Sequence, residues 1–190
     1  VVVNTGITEV QSLAFATMTA LESVQLPSSL IYHQGGTFGY DTTISNISLP
    51  YGTNALNTFD FGESGSIGMF TQCQNLETFW MPDTVMSAGW GTFTNLDFFG
   101  VQTKLKNVRL SQNLQELSVD MFSSNQSLGF IEIPKSVKII GSTALSECGS
   151  LKIKLNEGLE RIEFWAFNDT SLGSLILPST LKYIGNDAFV

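Results

Sequence analysis

The stretch "IEIPKSVKIIGSTAL" (residues 131–145) returns almost unchanged as "LILPSTLKYIGNDAF" (residues 175–189). Both copies place a proline fourth, apolar residues three and six positions after that proline, and a glycine directly afterwards. Self-similarity of this kind is the sequence signature of a repeat architecture, in which each copy is one structural unit. The repeat therefore decides the fold, and the rest of the chain is aligned to it.

The most constant part of the repeat is apolar-x-x-apolar-x-apolar-Pro. All five prolines of the chain stand in this pattern, and two degenerate copies end at Ser111 and Asn156 without a proline. The last apolar residues of the seven copies are Leu26, Leu49, Met81, Leu110, Ile133, Leu155 and Leu177. They are 23, 32, 29, 23, 22 and 22 positions apart, so most copies share one period and two copies are longer.

A second landmark is a large apolar residue eleven positions after each proline position. These residues are Phe38, Phe61, Phe93, Phe122, Leu145, Phe167 and Phe189. Counting from them places the extra residues of the long copies near 62–69 and 94–99, and the segment Leu13 to Phe15 ends an earlier partial repeat. We therefore expect one repeat domain over residues 1–190, with about seven repeats of 22–23 residues and a partial one at the start.

Each repeat predicts one short half-buried strand, because its last apolar pair alternates with period two. Proline ends this strand since it has no N–H to donate to a ladder. A copy of about 23 residues cannot bury its apolar side alone, whereas stacked copies can. The sequence predicts a mainly β solenoid with a parallel sheet on one side and short turns, 3-10 turns or single helical turns on the other.

The phrase L-x-x-I-x-L-P-x-x-V/L-x-x-I-G-x-x-A-F-x-x-C-x-x-L resembles the BspA-like leucine-rich repeats of bacterial and protist surface proteins. The resemblance covers nearly the whole chain, is strongest from Leu128 to Phe189, and is weakest from Tyr51 to Gly100. It implies a leucine-rich-repeat solenoid, a place at the cell surface or outside the cell, and a role in adhesion or host-protein binding. Because neither end has the polar cap that a solenoid end needs, we expect a segment of a longer array, or ends that another chain covers.

Composition narrows the function classes. The net charge of −8 and the pI of about 4.5 argue against nucleic acid or an anionic membrane as the main partner. No apolar run reaches the length of about 20 residues that a membrane helix needs. His33 is the only histidine, and acidic residues are scattered, so we expect neither an enzyme nor a metal or cofactor site.

Two cysteines and the histidine have structural interpretations. Cys73 and Cys148 each precede a repeat-start leucine by three positions, three repeats apart. That separation is roughly 14 Å at about 4.7 Å per coil, too far for a disulfide, so we expect two free, buried thiols. His33 stands where other repeats carry Leu, Ile or Ala. It is expected to be half-buried, unless the register slips and turns Tyr32 inward.

The outer face of the predicted sheet carries the candidate binding residues. One row is expected to run Gln25, Ser48, Trp80, Arg109, Glu132, Lys154 and Ile176, and a second Ser23, Asn46, Thr78, Asn107, Phe130, Lys152 and Ser174. Arg109, Glu132 and Lys154 alternate in sign, which favours a cross-strand charge ladder. Exposed aromatic residues are typical anchors of interfaces. The candidate partner-binding residues are Trp80, Arg109 and Phe130 on the sheet, with Trp90 and Phe98 near the inserts.

Two functions of different classes fit these features. The first is a surface-displayed binding or adhesion module that recognises protein or glycan through its sheet face and inserts. The second is a structural subunit that self-associates through its uncapped ends into extracellular filaments or layers, since heterologous contacts propagate open assemblies.

Overall fold

The chain winds into a parallel β-solenoid in which each repeat supplies one coil. The computed structural model describes residues 1–30, 32–61, 66–95 and 103–190, and it has no helix within these ranges. The longer strands form a front sheet: β2 (Ser23–Gln25), β4 (Asn46–Ser48), β8 (Thr78–Trp80), β10 (Asn107–Arg109), β12 (Phe130–Glu132), β14 (Gly149–Lys154) and β16 (Thr170–Leu172). Neighbouring strands are parallel and follow the order of the repeats, as the sequence predicts.

A second, narrower set of parallel strands lies behind the front sheet. It consists of β1 (Glu9–Val10), β3 (Tyr32–His33), β5 (Ala55–Leu56), β9 (Ser87–Ala88), β11 (Glu116–Leu117), β13 (Ile139–Ile140), β15 (Arg161–Ile162) and β17 (Tyr183–Ile184). The sequence predicted only turns here, because two residues are too few for a visible alternation. Turns do form the remaining side of each coil.

The front strands form where the sequence alternates. Each three-residue strand from β2 to β12 has a buried central residue between two exposed ones. Ile131, for example, is fully buried, whereas Phe130 is 49% exposed. One face of the sheet therefore lines the core, and the other face is open to solvent.

A column of phenylalanine rings fills the turn side of the core. Successive rings stack with centroids 5.1–5.7 Å apart, in the order Phe15, Phe38, Phe70, Phe93, Phe122. The prediction that Phe61 belongs to this column was wrong, because Phe61 is 46% exposed and contacts Phe59 edge-on. Phe70 takes the core position because it precedes the next repeat-start residue, Leu76, by six positions, as Phe38 precedes Ile44.

The first long repeat contains an antiparallel strand pair next to its extra residues. β6 (Phe59–Asp60) pairs antiparallel with β7 (Ser66–Ile67), and these are the only antiparallel strands among the described residues. The extra residues thus precede the core phenylalanine of their coil. Most of the second expected insert, near 94–99, lies outside the described residues.

The final repeat departs from the expected sheet. Ile176 was predicted to continue the outer row beside Lys154, but it lies outside any strand and is 85% exposed. The last front strand, β16, pairs instead with Gly149, Ser150 and Leu151. A bend at Ser174 then turns the chain away from Lys154.

Candidate functional site

Two rows of side chains project from the front sheet, in the register that the sequence predicts. Arg109 lies beside Trp80, and Lys154 beside Glu132, in one row. Asn107 lies between Thr78 and Phe130 in the other row. These rows present one aromatic side chain each to solvent.

Trp80 is the most prominent of these side chains. It is 71% exposed, and none of the aromatic contacts of the described residues includes it. An indole left open on a sheet face is an amphipathic platform, with an apolar ring face and one N–H donor. Large exposed aromatics of this kind are enriched at binding sites.

The charged side chains of the front face form two separate pairs. Lys154 Nζ lies 2.7 Å from Glu132 Oε1, and this pair is part of the predicted cross-strand charge ladder. Arg109 does not pair with Glu132: its Nη2 lies 2.7 Å from Asp83 Oδ2, and its Nη1 donates to the carbonyl of Met81. Asp83 competes successfully because its second oxygen also accepts from the Gln112 N–H, which fixes the carboxylate.

The front sheet is interrupted between β4 and β8. Within residues 45–49 and 77–81, all of which the structure describes, no backbone hydrogen bond joins the two strands. Their Cα atoms nevertheless approach within 8 Å. Side chains also link these coils, since Asn75 donates to the Thr42 carbonyl and Thr84 to the carbonyls of Tyr51 and Thr53. Behind the gap, β5 still pairs with β9.

A groove of about 470 Å³ opens at this interruption, which we call the β4–β8 groove. Ligand sites commonly occupy roughly 300–1,000 Å³. Its lining consists of Ser45, Asn46, Ile47, Ser48, Leu49, Glu77, Thr78 and Trp80. The groove coincides with the longest repeat spacing, 32 residues, so the insertion that lengthens this coil accompanies the break in the ladder.

The floor of the β4–β8 groove is lined by peptide groups that make no backbone hydrogen bond to any described residue. Adjacent residues of a strand direct their N–H and C=O groups to opposite sides. The Ser45 N–H donates to the Glu22 carbonyl on the side of β4 away from the gap. The Met81 N–H donates to the Arg109 carbonyl on the side of β8 away from the gap. The peptide groups of Asn46 and Ser48, and of Thr78 and Trp80, therefore face the gap.

Three polar side chains stand above these peptide groups without a protein partner. Asn46, Ser48 and Thr78 are exposed, and within the described part of the chain their side chains make no hydrogen bond. All three belong to the outer rows that the sequence predicts for the front sheet, but no pattern in the sequence marked them as a site. The signal that could have done so is the long spacing between Leu49 and Met81.

A side-chain donor recurs inside three of the coils, three residues before the repeat start. Cys73 Sγ donates to the Phe38 carbonyl and Cys148 Sγ to the Phe122 carbonyl, both at 3.2 Å, while Asn125 Nδ2 donates to the Phe93 carbonyl at 2.7 Å. Both thiols are free and buried, as expected. Burial raises the pKa of Cys148 to about 12 and that of Cys73 further, so both remain protonated donors.

These repeated strands, phenylalanines and donors agree with the family comparison. The family model described as "BspA type Leucine rich repeat region" matches residues 1–98 and 68–190, with six copies. The chain belongs to this family of BspA-type leucine-rich repeats. No curated protein sequence matches the chain significantly.

Solved structures share the BspA-type solenoid at low sequence identity. The leucine-rich repeat protein of T. pallidum is 19% identical, with a TM-score of 0.58 over 78% of this chain and 75% of that one. The pneumococcal vaccine antigen PcpA is 21% identical, with a TM-score of 0.55 over 94% of this chain and 50% of that one. A leucine-rich cell surface protein of Faecalibacterium prausnitzii is 21% identical over 95% of this chain and 51% of its own, with a TM-score of 0.47. This BspA-type chain thus spans about half the length of the last two.

Trp90, one of the two candidates near the inserts, lies apart from the front face. Trp90 is 47% exposed beside the narrow sheet, and its Nε1 donates to Asp120 Oδ2 at 2.6 Å. Phe98 lies outside the described residues. The structure therefore brings Trp80, Arg109 and Phe130 onto one face but does not add Trp90 to it.

His33 is buried more completely than the sequence suggested. It is 2% exposed, and its Nε2 lies 3.3 Å from Thr53 Oγ1. Burial lowers its pKa to about 4, so it is a neutral imidazole at physiological pH. Among the described residues, no three His, Cys, Asp or Glu side chains are grouped so that they could hold a metal ion. The same residues include no helix long and apolar enough to cross a bilayer.

Proposed function

We propose that this chain is a binding module displayed at a cell surface, which recognises a protein or glycan through its front sheet face and neighbouring inserts. The observation that carries the proposal is the 71% exposure of Trp80 on a face that also presents Phe130 and two ion pairs. Such a face offers aromatic anchors surrounded by polar groups, which is the composition of many recognition surfaces.

The family supports this assignment over catalysis. Leucine-rich-repeat solenoids are extended stacks whose open sheet faces serve as binding surfaces. The structural relatives include a protein described as a vaccine antigen and one described as a cell surface protein. A binding role at the surface is consistent with these relatives and with the weakly charged, hydroxyl-rich composition of 21 Ser and 18 Thr.

The test is a binding screen with two front-face variants and one control variant. Purified protein is titrated against immobilised extracellular-matrix proteins and against a glycan array. Trp80→Ala and Phe130→Ala remove the exposed aromatics of the front face, whereas Phe164→Ala removes a comparable aromatic, 46% exposed, outside the front sheet. We expect at least one ligand whose binding is lost with a front-face variant and kept with Phe164→Ala. Absence of any ligand, or equal loss in all three variants, contradicts the proposal.

Self-association is the second candidate, and one surface favours it. In the last coil Leu177, Ile184 and Phe189 are 40–47% exposed, although the matching Ile162 and Phe167 of the preceding coil are buried. A further coil of the same chain would bury the same positions, and so would a second copy stacked on this coil. Sedimentation and negative-stain microscopy at physiological salt distinguish the two: regular polymers support a structural subunit, whereas monomers or dimers support the binding module.

A further inference from the structure

We propose that the β4–β8 groove is a carbohydrate site that holds a neutral pyranose ring against the indole of Trp80. This inference rests on the proposed binding function and assigns one part of the front face to one class of ligand. Four features of the groove support it: the polar floor, the width, the charge and the open indole ring.

The open ring and the polar groups beside it match the two chemistries of a sugar. One face of a pyranose carries C–H groups that pack on an aromatic face, while its hydroxyls need donors and acceptors in the ring plane. Trp80 supplies an uncovered indole, and Asn46, Ser48 and Thr78 supply amide and hydroxyl groups without a protein partner. The unpaired peptide groups of the same four residues add further donors and acceptors below.

The width of the gap excludes a peptide strand as the occupant. A strand inserted between β4 and β8 would need about 4.8 Å on each side, hence roughly 9.6 Å in total. The Cα atoms of the two strands already approach within 8 Å. Hydroxyl groups or bridging waters fit this spacing, and a ring seated above the gap reaches both strands.

The charge of the groove selects against acidic sugars. Among the eight lining residues Glu77 alone is charged, and it lies 3.5 Å from Lys106 Nζ. Arg109, the cation nearest to Trp80 in its row, is already bound to Asp83 and the Met81 carbonyl. No described lining residue offers a cation to a carboxylate or sulfate, so the ligand is a neutral sugar.

The test measures binding of purified protein to arrayed neutral oligosaccharides and to their sialylated or sulfated counterparts. Each glycan that binds on the array is then titrated as the free sugar, with tryptophan fluorescence as the signal. We expect neutral glycans to bind and acidic ones to bind less. Trp80→Ala should weaken binding about tenfold or more, and Trp80→Phe should retain part of it.

Two further variants separate the groove from a merely sticky indole. Ser48→Arg fills the groove and leaves Trp80 in place, so it should abolish sugar binding. Phe164→Ala removes an exposed aromatic outside the front sheet and should leave sugar binding unchanged. Circular dichroism checks that each variant is folded, which is expected because all three positions are exposed.

The outcomes separate this inference from the proposed function. Binding of proteins through Phe130 without any binding of neutral glycans overturns the carbohydrate site and leaves the binding module standing. A preference for acidic glycans, or sugar binding that survives both Trp80→Ala and Ser48→Arg, also overturns it. If no protein or glycan binds, both proposals fail.

Discussion

Asp41 is a buried acid in the position where other coils place a hydrogen-bond donor. It precedes Ile44 by three residues, as Cys73 precedes Leu76 and Asn125 precedes Leu128. The side chain is fully buried, and Oδ1 accepts from the Met18 N–H, but Oδ2 has no partner. Burial raises the pKa of Asp41 to about 6, because desolvation disfavours the ionised carboxylate, and the bond from the Met18 N–H opposes this rise only in part.

Asp41→Asn should therefore stabilise the protein. The new amide keeps an oxygen for the Met18 N–H and replaces the unpartnered Oδ2 with a donor, as Asn125 already provides. We expect the free energy of unfolding at pH 8 to rise by about 1–3 kcal/mol, the cost of an unsatisfied buried group. Urea denaturation measures it. The reciprocal Asn125→Asp should destabilise by a similar amount, and a stabilising Asn125→Asp would contradict the explanation.

His33 and Asp41 give the stability opposite pH dependences in overlapping windows. The pKa of His33 is about 4 in the folded state and 6.5 ordinarily, so stability is lost as pH falls from 6.5 to 4. The pKa of Asp41 is about 6 in the folded state and 3.8 ordinarily, so stability is lost as pH rises from 3.8 to 6. The two slopes partly cancel in the native protein.

Single variants should separate these slopes. In Asp41→Asn, denaturation between pH 4 and 6.5 should show stability rising with pH, because His33 then acts without opposition. In His33→Gln, stability should fall with pH over about 4 to 6, because Asp41 remains. Identical pH profiles for the native protein and both variants would show that neither group titrates in this range.

At the scale of the element, the glycines that follow β13 and β17 are required by the short distance between the backbones of neighbouring coils. Gly141 and Gly185 mark the sequence repeat, and neither has a positive φ that would itself require glycine. A Cβ at Gly141 would lie 2.8 Å from the Leu117 carbonyl oxygen, and one at Gly185 would lie 2.5 Å from the Phe164 nitrogen. Their role is to let one backbone approach the next.

Gly141→Ala should consequently destabilise the solenoid, although alanine is tolerated in most turns. The added methyl group meets the main chain of the previous coil, which cannot move without breaking the Gly141 N–H to Leu117 O bond. We expect a loss of about 1–3 kcal/mol, as for other overpacked sites. Gly129→Ala is the matched control, since its Cβ would meet nothing within 4 Å. Equal thermal stability of the two variants would refute the close-approach argument.

The sequence predicted the front strands well and the narrow strands poorly. Alternation around Ile131 or Phe79 is a local property that the pattern displays directly. Phe61 was misplaced because counting forward from Pro50 put the insertion after the core phenylalanine, whereas the stacked rings show that the core phenylalanine is Phe70, behind the insertion. The β4–β8 groove was not foreseen, because a missing hydrogen-bond ladder between coils leaves no mark in either strand's own residues.

At the scale of the whole molecule, the broken ladder divides the solenoid into two parts of unequal continuity. Front strands from β8 to β16 form one sheet of five, whereas β2 and β4 form a separate two-stranded sheet, beside which Val2 makes an isolated bridge with Gln25. Stacked coils stabilise one another mainly through neighbours, so a weak junction limits the coupling between the parts. Phe38 N–H to Met69 O and Tyr40 N–H to Thr71 O still connect them on the turn side.

Hydrogen exchange should resolve this division. In low concentrations of denaturant, we expect the amide of Ile47 to exchange through a partial opening of lower free energy than that of Ile131, because fewer ladders hold its coil. Nuclear magnetic resonance or mass spectrometry of peptic fragments measures both. If both amides exchanged only with global unfolding, the junction would be as strongly coupled as the rest of the sheet.

The two native thiols can report the opening of this junction without an engineered probe. Cys73 Sγ donates across the junction to Phe38, whereas Cys148 Sγ donates to Phe122 within the continuous part. Separation of the first coils thus uncovers Cys73 while Cys148 stays enclosed. Timed alkylation with iodoacetamide, read as one or two added masses on the intact protein, would register the loosening of the amino-terminal coils and the later collapse of the whole stack as two successive events.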